Sequence, residues 1–520
     1  MKSVRPPIHI PDEPLTFPLR QAAERFPNKV AVVEPEAEGR EWTYERLEEL
    51  SSALAASLVA LGMRPGDRVA LWLKNSIEYI LSFYGILKAG GVVVPVSAHY
   101  GEREVSHQLE VTSAKGVITS EDRLAQAPRP ERTGVKFQVV VQKDGPPPAG
   151  MVSFCKLLEG SERLDRSRGI DPRSALAVLP FSSGTTGLPK GVMLTHANLV
   201  SNLQQVLQAH QARPEDIFLN QLPFFHIYGM TVLMGASIMA CATQVIASRF
   251  RPMEEFLDLF ERHRPTLFFT VPLILQEFTH HTRVPGMDWS FLRYINTGGA
   301  PLAPDLQERF TQLTGVPVIQ GYGLTESSPT THTNPLDRIK IGSIGTPVSL
   351  TEHRIVDPAT LEDVLIGEIG ELWIKGPQIM QGYFNDERST AGTLIDGWLR
   401  TGDLGREDED GYVYIVDRLK ELIKCKGFQV APAELEHVLM GHPDIRDAAV
   451  IGEPHPEMGE APVAYVVLKE EGTLSPEQII EYAASGMAKY KKLNRVIFAE
   501  AIPRSPSGKI LRRVLKEDHA

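Results

Sequence analysis

Residues 181–191 read FSSGTTGLPKG and follow the apolar run LAVLP. Small residues, among them Gly184 and Gly187, let backbone N–H groups converge on phosphate oxygens together with the hydroxyls of Ser182, Ser183, Thr185 and Thr186. Lys190 adds a fixed positive charge. The alternative, a Ser/Gly surface turn, uses the same residue types without a ligand. The spacing from Gly184 through Gly187 to Lys190 cannot be written as G-x-x-x-x-G-K-[ST], so P-loop chemistry is not implied.

Working outward, short β-branched runs alternate with amphipathic segments. VAVV (30–33), VALWL (69–73) and VVVPV (92–96) are separated by TYERLEELSSALAASLVALG and IEYILSFYGILKAG. LAVLPF (176–181), LFFTV (267–271), RYIN (293–296) and VPVIQ (316–320) resume the pattern, which predicts βαβ units and a large doubly wound α/β body. From about 340 to 416 short strands closed by Gly and Asp turns predict a small β-rich subdomain. Beyond Asp417, APAELEHVLMGHP and SPEQIIEYAASGMAKYK read as helices and DAAVIGEP, PVAYVVLK and RVIFAE as strands, a smaller mobile α+β domain. The expected division is residues 1–416 and 417–520.

Composition narrows the partners. Fifty-four basic and sixty-five acidic residues give a formal charge of -11, which argues against nucleic acid or an anionic membrane surface. Three scattered cysteines, Cys155, Cys241 and Cys425, supply neither a disulfide framework nor a four-ligand zinc site and fit a reducing cytosol. The N-terminus has no apolar secretory core and KEDHA is no peroxisomal address, so a cytoplasmic enzyme is expected. Gly229 to Ser248 lacks charge and is long enough to span a bilayer, but its polar residues favour a buried helix followed by a strand. Oligomeric state is left open, a homodimer included.

Six further motifs follow the first in order: PFFHIYG (223–229), NTGGAPL (296–302), GYGLTE (321–326), WLRTGD (398–403), DRLKELIKCKGFQV (417–430) and PRSPSGKI (503–510). Together the seven resemble the adenylate-forming superfamily, which includes acyl-CoA synthetases, beetle luciferases and peptide-synthetase adenylation domains. The resemblance implies that ATP and a carboxylic acid form an acyl-adenylate, and that the acyl group passes to coenzyme A. It implies Mg²⁺ on Glu326, the α-phosphate on Thr325, and adenine between Tyr322 and the Gly298, Gly299, Ala300 backbone, with Gly321 and Gly323 flanking Tyr322 in the same motif. It puts the ribose on Asp403, with Arg418 beside it. His226 would guard the acyl pocket, and Lys509 would reach the attacking carboxylate and α-phosphate. Lys424 and Gly427 would line a pantetheine tunnel after rotation about a hinge at Asp417.

Each residue also has a bland alternative: a core histidine at 226, a helix-capping acid at 326, a turn aspartate at 403, a solvated lysine at 509. No acid in PFFHIYG could pair a substrate ammonium, so amino acids are disfavoured. In similar acetate ligases a tryptophan near the position of Gly323 truncates the pocket, and glycine there predicts room for a longer acid. Phe224, Tyr228, Val271, Leu324 and Pro329 are the expected apolar lining. A medium- or long-chain fatty acid is the first expectation; an aromatic acid, or an acyl-AMP ligase serving a carrier protein, is the alternative.

Overall fold

A computed structural model of the 520-residue chain describes every residue except 1, 2, 4, 37, 38, 127–133, 143, 144, 161, 183–188, 248, 249, 251, 426, 427, 457, 470, 471, 486, 488–490, 506, 507 and 518–520. Two nine-stranded sheets make up the N-terminal body. In the first, Tyr294–Thr297 lies between Leu267–Thr270 and Val318–Gly323, all parallel, and Ile217–Asn220, Thr243–Ile246 and Val30–Glu34 continue the parallel run. In the second, Arg68–Trp72 lies between Val92–Pro95 and Gly116–Ser120, again parallel. A strand is buried on both faces here, which explains why these runs are continuously apolar rather than alternating.

The helices between them begin where the sequence supplies caps. Thr43 accepts the Arg46 N–H at 3.3 Å ahead of Tyr44–Ala60, and Ser76 accepts the Tyr79 N–H ahead of Ile77–Lys88. From Gly229 to Ala247 the uncharged stretch is buried at every residue but the half-buried Thr243: Tyr228–Gly235 winds with wide π-type turns, Ala236–Met239 continues as α-helix, and Thr243–Ile246 is a strand. Among the described residues no helix is long and apolar enough to cross a membrane.

A third, five-stranded antiparallel sheet spans residues 352–418, and a fourth, from 423 to 498, pairs Ile445–His455 with Gly459–Leu468 and has its own buried core. The helix expected through 491 stops at Ala484, where Ser485 turns to extended backbone one residue before Gly486, a poor helix former. The hairpin of Ile423–Cys425 and Phe428–Val430 lies within DRLKELIKCKGFQV, to which the sequence pattern assigned no strand.

In open parallel sheets the strand carboxyl ends frame the ligand crevice. Here those ends deliver Gly298 after Tyr294–Thr297, Gly321 to Gly323 within Val318–Gly323, and the 221–228 turn after Ile217–Asn220. An aromatic cluster holds the strands from behind: Phe260, fully buried, meets Phe268 at 4.9 Å, Trp289 at 5.4 Å, Phe256 at 5.5 Å and Phe278 at 5.6 Å between ring centroids. Phe260→Ala should therefore lower stability by about 3–5 kcal/mol, read as an earlier urea midpoint with an unchanged slope.

Candidate active site

A cleft of about 1050 Å³ opens at these strand ends and is closed on its far side by Arg504, Ser505, residues 509–514 and Lys516 of the C-terminal part. His226, Tyr322, Thr325, Glu326, Asp403, Arg418 and Lys509, far apart in sequence, all line it, as do Ser182, Gly298, Gly299, Gly321 and Gly323. Ala300 and Lys190 stand outside the lining. Ser183, Gly184, Thr185, Thr186, Gly187 and Gly427 lie outside the described residues.

Asp403 is 4% exposed, and both its oxygens are engaged. The Tyr322 hydroxyl donates to Oδ2 at 2.5 Å and Arg418 Nε sits 3.1 Å from Oδ1. Burial, with the Asp403 charge added, pushes the Tyr322 phenol well above its usual range, so it remains a donor. Burial, the largest single influence, pulls the Arg418 guanidinium down, but Asp403, Glu421, Tyr322 and Glu326 together outweigh it and the net shift is upward. A carboxylate has about four acceptor sites, so these two partners leave lone pairs for a ligand's hydroxyls.

Glu326 Oε1 accepts from the Ser182 hydroxyl at 2.8 Å and the Tyr383 hydroxyl at 2.9 Å. Tyr383 had no sequence signal, because GYFND matches no phosphate-binding pattern; only the fold brings strand Gly382–Tyr383 beside Lys190–Thr195. Lys190 is tied to the same region, with its ammonium on Ser389 Oγ, 3.5 Å from Asp386 and 5.2 Å from the Tyr383 ring centre. Glu371 also went unread: 2% exposed, it accepts from Trp373 Nε1 (2.9 Å), Arg400 Nη2 (2.8 Å) and the Gly402 N–H (3.1 Å), bracing the turn that presents Asp403.

His226 Nδ1 accepts the Tyr228 N–H at 3.3 Å, which leaves the ring proton on Nε2, and burial pushes its pKa down to about 4. The imidazole is a neutral donor. Gly229 is required beside it, since a Cβ there would stand 2.1 Å from the Pro223 carbonyl oxygen. Lys509 is held down to about 8 by burial first and Arg418 second, against the pull of Glu421 and Asp403. Lys424 is exposed and outside the cleft, its N–H bonded to Glu460 at 2.7 Å. Cys425, adjacent, turns into the C-terminal core against Met458.

Three lining expectations need correction. Phe224 is fully buried behind the cleft, its backbone held by Asn75 (2.7 Å) and the Tyr79 hydroxyl (3.0 Å), and it is Phe225 that lines the wall. Val271 is likewise buried and does not line the cleft. The room expected beyond Gly323 is absent: a Cβ there would lie 2.1 Å from the Pro329 carbonyl oxygen and 2.6 Å from its carbon, so the glycine answers to a close backbone approach rather than to substrate size. Tyr228, Leu324 and Pro329 do line the cleft.

Comparison with known proteins agrees with this geometry. Residues 19–384 match the AMP-binding enzyme family and residues 434–509 the AMP-binding enzyme C-terminal domain. A 4-coumarate–CoA ligase of Oryza sativa subsp. japonica is 38% identical over 92% of this chain and 87% of its own. A long-chain-fatty-acid–CoA ligase of Bacillus subtilis is 35% identical over 98% and 95%. MatB from Rhodopseudomonas palustris superposes with a TM-score of 0.88 in its ATP-bound form, at 29% identity over 97% of this chain and 99% of its own. Its apo form, at 30% identity over 97% and 98%, gives 0.77. The chain belongs to the AMP-binding enzyme family, among its acid:CoA ligases.

Proposed function

We propose that the cleft joins ATP and a carboxylic acid as an acyl-adenylate, releasing pyrophosphate, and that the CoA thiol then displaces AMP to give the thioester. The observation that carries this reading is Lys509 sharing one cleft with Glu326 and the Asp403–Arg418 pair. Attack of a carboxylate on the α-phosphate brings anions together, and the site must hold donors and cations where that charge accumulates. Adenine would lie between Tyr322 and the bare backbone of Gly298 and Gly299, with the ribose on Asp403. The phosphates would run toward Ser182 and the 183–188 loop, and Thr325 and the Lys509 ammonium would meet the α-phosphate. His226 Nε2 would donate to the acid's carboxylate.

Mg²⁺ fits this donor set. Glu326, already an acceptor for two hydroxyls, is a single carboxylate next to the phosphate path, and Mg²⁺ is ordinarily held by one or two carboxylates, phosphate oxygens and water. Bound there, the ion would neutralise phosphate charge.

Thioester formation needs an open path for a thiol rather than a cation at the α-phosphate. We infer that residues 417–520 turn about Asp417 between the steps, carrying Lys509 out and the face around Lys424 in. Asp417 is 6% exposed and accepts from the Arg418 N–H (2.6 Å) and the Ala433 N–H (3.1 Å), while its strand pairs it with Leu404 of the N-terminal part. The closer likeness to the ATP-bound than to the apo form of MatB supports an adenylate-forming arrangement here. The acid itself would have an apolar body against Phe225, Ile227, Val232 and Pro329. Polar groups of Asn296, Thr333 and His210 also border this chamber and weigh against a plain fatty chain, the first expectation from sequence.

Three outcomes test the reading. Glu326→Ala should lose about 10²–10³ in acid-dependent pyrophosphate release, and near-normal release would remove it from the site. Lys509→Ala should lose adenylate formation yet still convert supplied acyl-AMP and CoA to thioester, with Lys424→Ala showing the reverse. Because the free-enzyme pKa of Lys509 is held down to about 8 and the charged form is the active one, kcat/KM for adenylation should fall as pH rises through about 8; Lys509→Arg should move that fall beyond the measurable range. Finally, Gly323→Ala should lower adenylation of short and long acids alike, since it displaces the Pro329 backbone; a selective gain for acetate would restore Gly323 to the pocket floor.

A further inference from the structure

The chamber holds one polar group that the proposed chemistry does not use. His210, in the last turn of His196–His210, lines the cleft and is 2% exposed. Its ring is fixed by stacking on Tyr294, 5.8 Å between centroids and 19° between planes, and by an edge contact with Phe269 at 4.9 Å. Tyr294 opens the strand whose other end leads to Gly298, where the adenine would lie, so four residues of strand, roughly 13 Å, separate it from that end of the cleft. His210 Nδ1 has no hydrogen-bond partner among the described residues. Its neighbours are committed to one another: the Tyr228 hydroxyl donates to Asn296 Oδ1 at 3.0 Å, and Asn296 Nδ2 to Thr333 Oγ1 at 3.4 Å. A buried polar atom left unpaired is costly, and native structures rarely keep one without a use.

The charge around His210 narrows what could meet it. Burial, with Arg5 and Arg293 adding to it, pushes its pKa down to about 3, so the imidazole is neutral. Those two guanidiniums oppose a cationic ligand; Arg293 is paired with Asp216 at 2.8 Å, and Arg5 gives Nη2 to the Thr333 carbonyl at 2.7 Å while its buried Nε has no partner among the described residues. A neutral hydroxyl both donates and accepts, so it satisfies Nδ1 in either tautomer.

We propose that His210 reads the far end of the acid, hydrogen-bonding a neutral hydroxyl there, and that the acids this enzyme activates are hydroxylated at the end remote from the carboxylate. The proposal rests on the acid:CoA ligase reading and names the substrate class of the same cleft. The hydroxyl can be carried by an aromatic ring or by an aliphatic chain.

The test uses the full chain with ATP and Mg²⁺ and measures pyrophosphate release for 4-hydroxycinnamate against cinnamate and 12-hydroxydodecanoate against dodecanoate, beside unhydroxylated C2 to C18 acids and benzoate. In one pair the hydroxylated acid should be favoured by about tenfold to a hundredfold in kcat/KM, and the pair that responds identifies the body. In His210→Leu and His210→Phe that preference should fall to near unity. Pyrophosphate release that is indifferent to the hydroxyl, or confined to unhydroxylated acids, overturns the proposal and leaves the ligase reading standing; the wild-type comparison alone decides this, whatever the variants' folding. A preference that survives intact in folded His210→Leu also overturns it. Release with no acid in the panel defeats the ligase reading and the proposal together.

Discussion

The carboxylate of Asp403 is the contact on which the rest of the cleft turns. It is nearly fully buried, and its charge is tolerated because a phenol and a guanidinium each engage one of its oxygens. Tyr322 comes from the last parallel strand of the first sheet, whereas Asp403 and Arg418 face each other on adjacent strands of the antiparallel sheet that leads into the C-terminal part. The Tyr322–Asp403 hydrogen bond thus joins two sheets, and the Asp403–Arg418 ion pair fastens the last strand before the C-terminal part. Glu371 braces the turn from below, and the Leu419 N–H closes on the Gly402 carbonyl at 2.9 Å. Removing either partner of such a buried pair strands the other, so the geometry is far more sensitive to single substitutions here than at the solvated rims.

Much of this was legible in the sequence, for identifiable reasons. Parallel strands buried on both faces must be apolar throughout, so LFFT and RYIN announced themselves, and the order of the seven motifs conveyed the fold before any coordinate. Side-chain direction within a motif was not legible: in PFFHIYG either phenylalanine could face the cleft, and only the anchoring of Phe224 by Asn75 and Tyr79 decides between them. Gly323 shows the same limit. A missing side chain reads equally well as space for a ligand or as space for backbone, and the Pro329 carbonyl supplies the second answer. Partners supplied from distant chain, such as Tyr383 and Glu371, leave no local pattern at all.

The half-buried ionisable groups of the cleft form an ordered set. His226 is kept neutral and aimed by a backbone N–H, Tyr322 is kept protonated, and Lys509 is the group brought closest to neutrality's edge. Arg418 opposes the Lys509 charge, a repulsion that a bound anion would relieve.

The Tyr383–Glu326–Ser182 junction carries one more consequence. Tyr383 and Ser182 stand on strands of the second sheet, while Glu326 follows the last parallel strand of the first. A guest against the first sheet and a guest meeting Ser182 on the second would therefore share this seam. Any shift that one guest imposes on the seam is felt by the other, so their affinities are thermodynamically linked, and the linkage must be reciprocal. Such a seam makes each guest the other's effector, without a separate regulatory site.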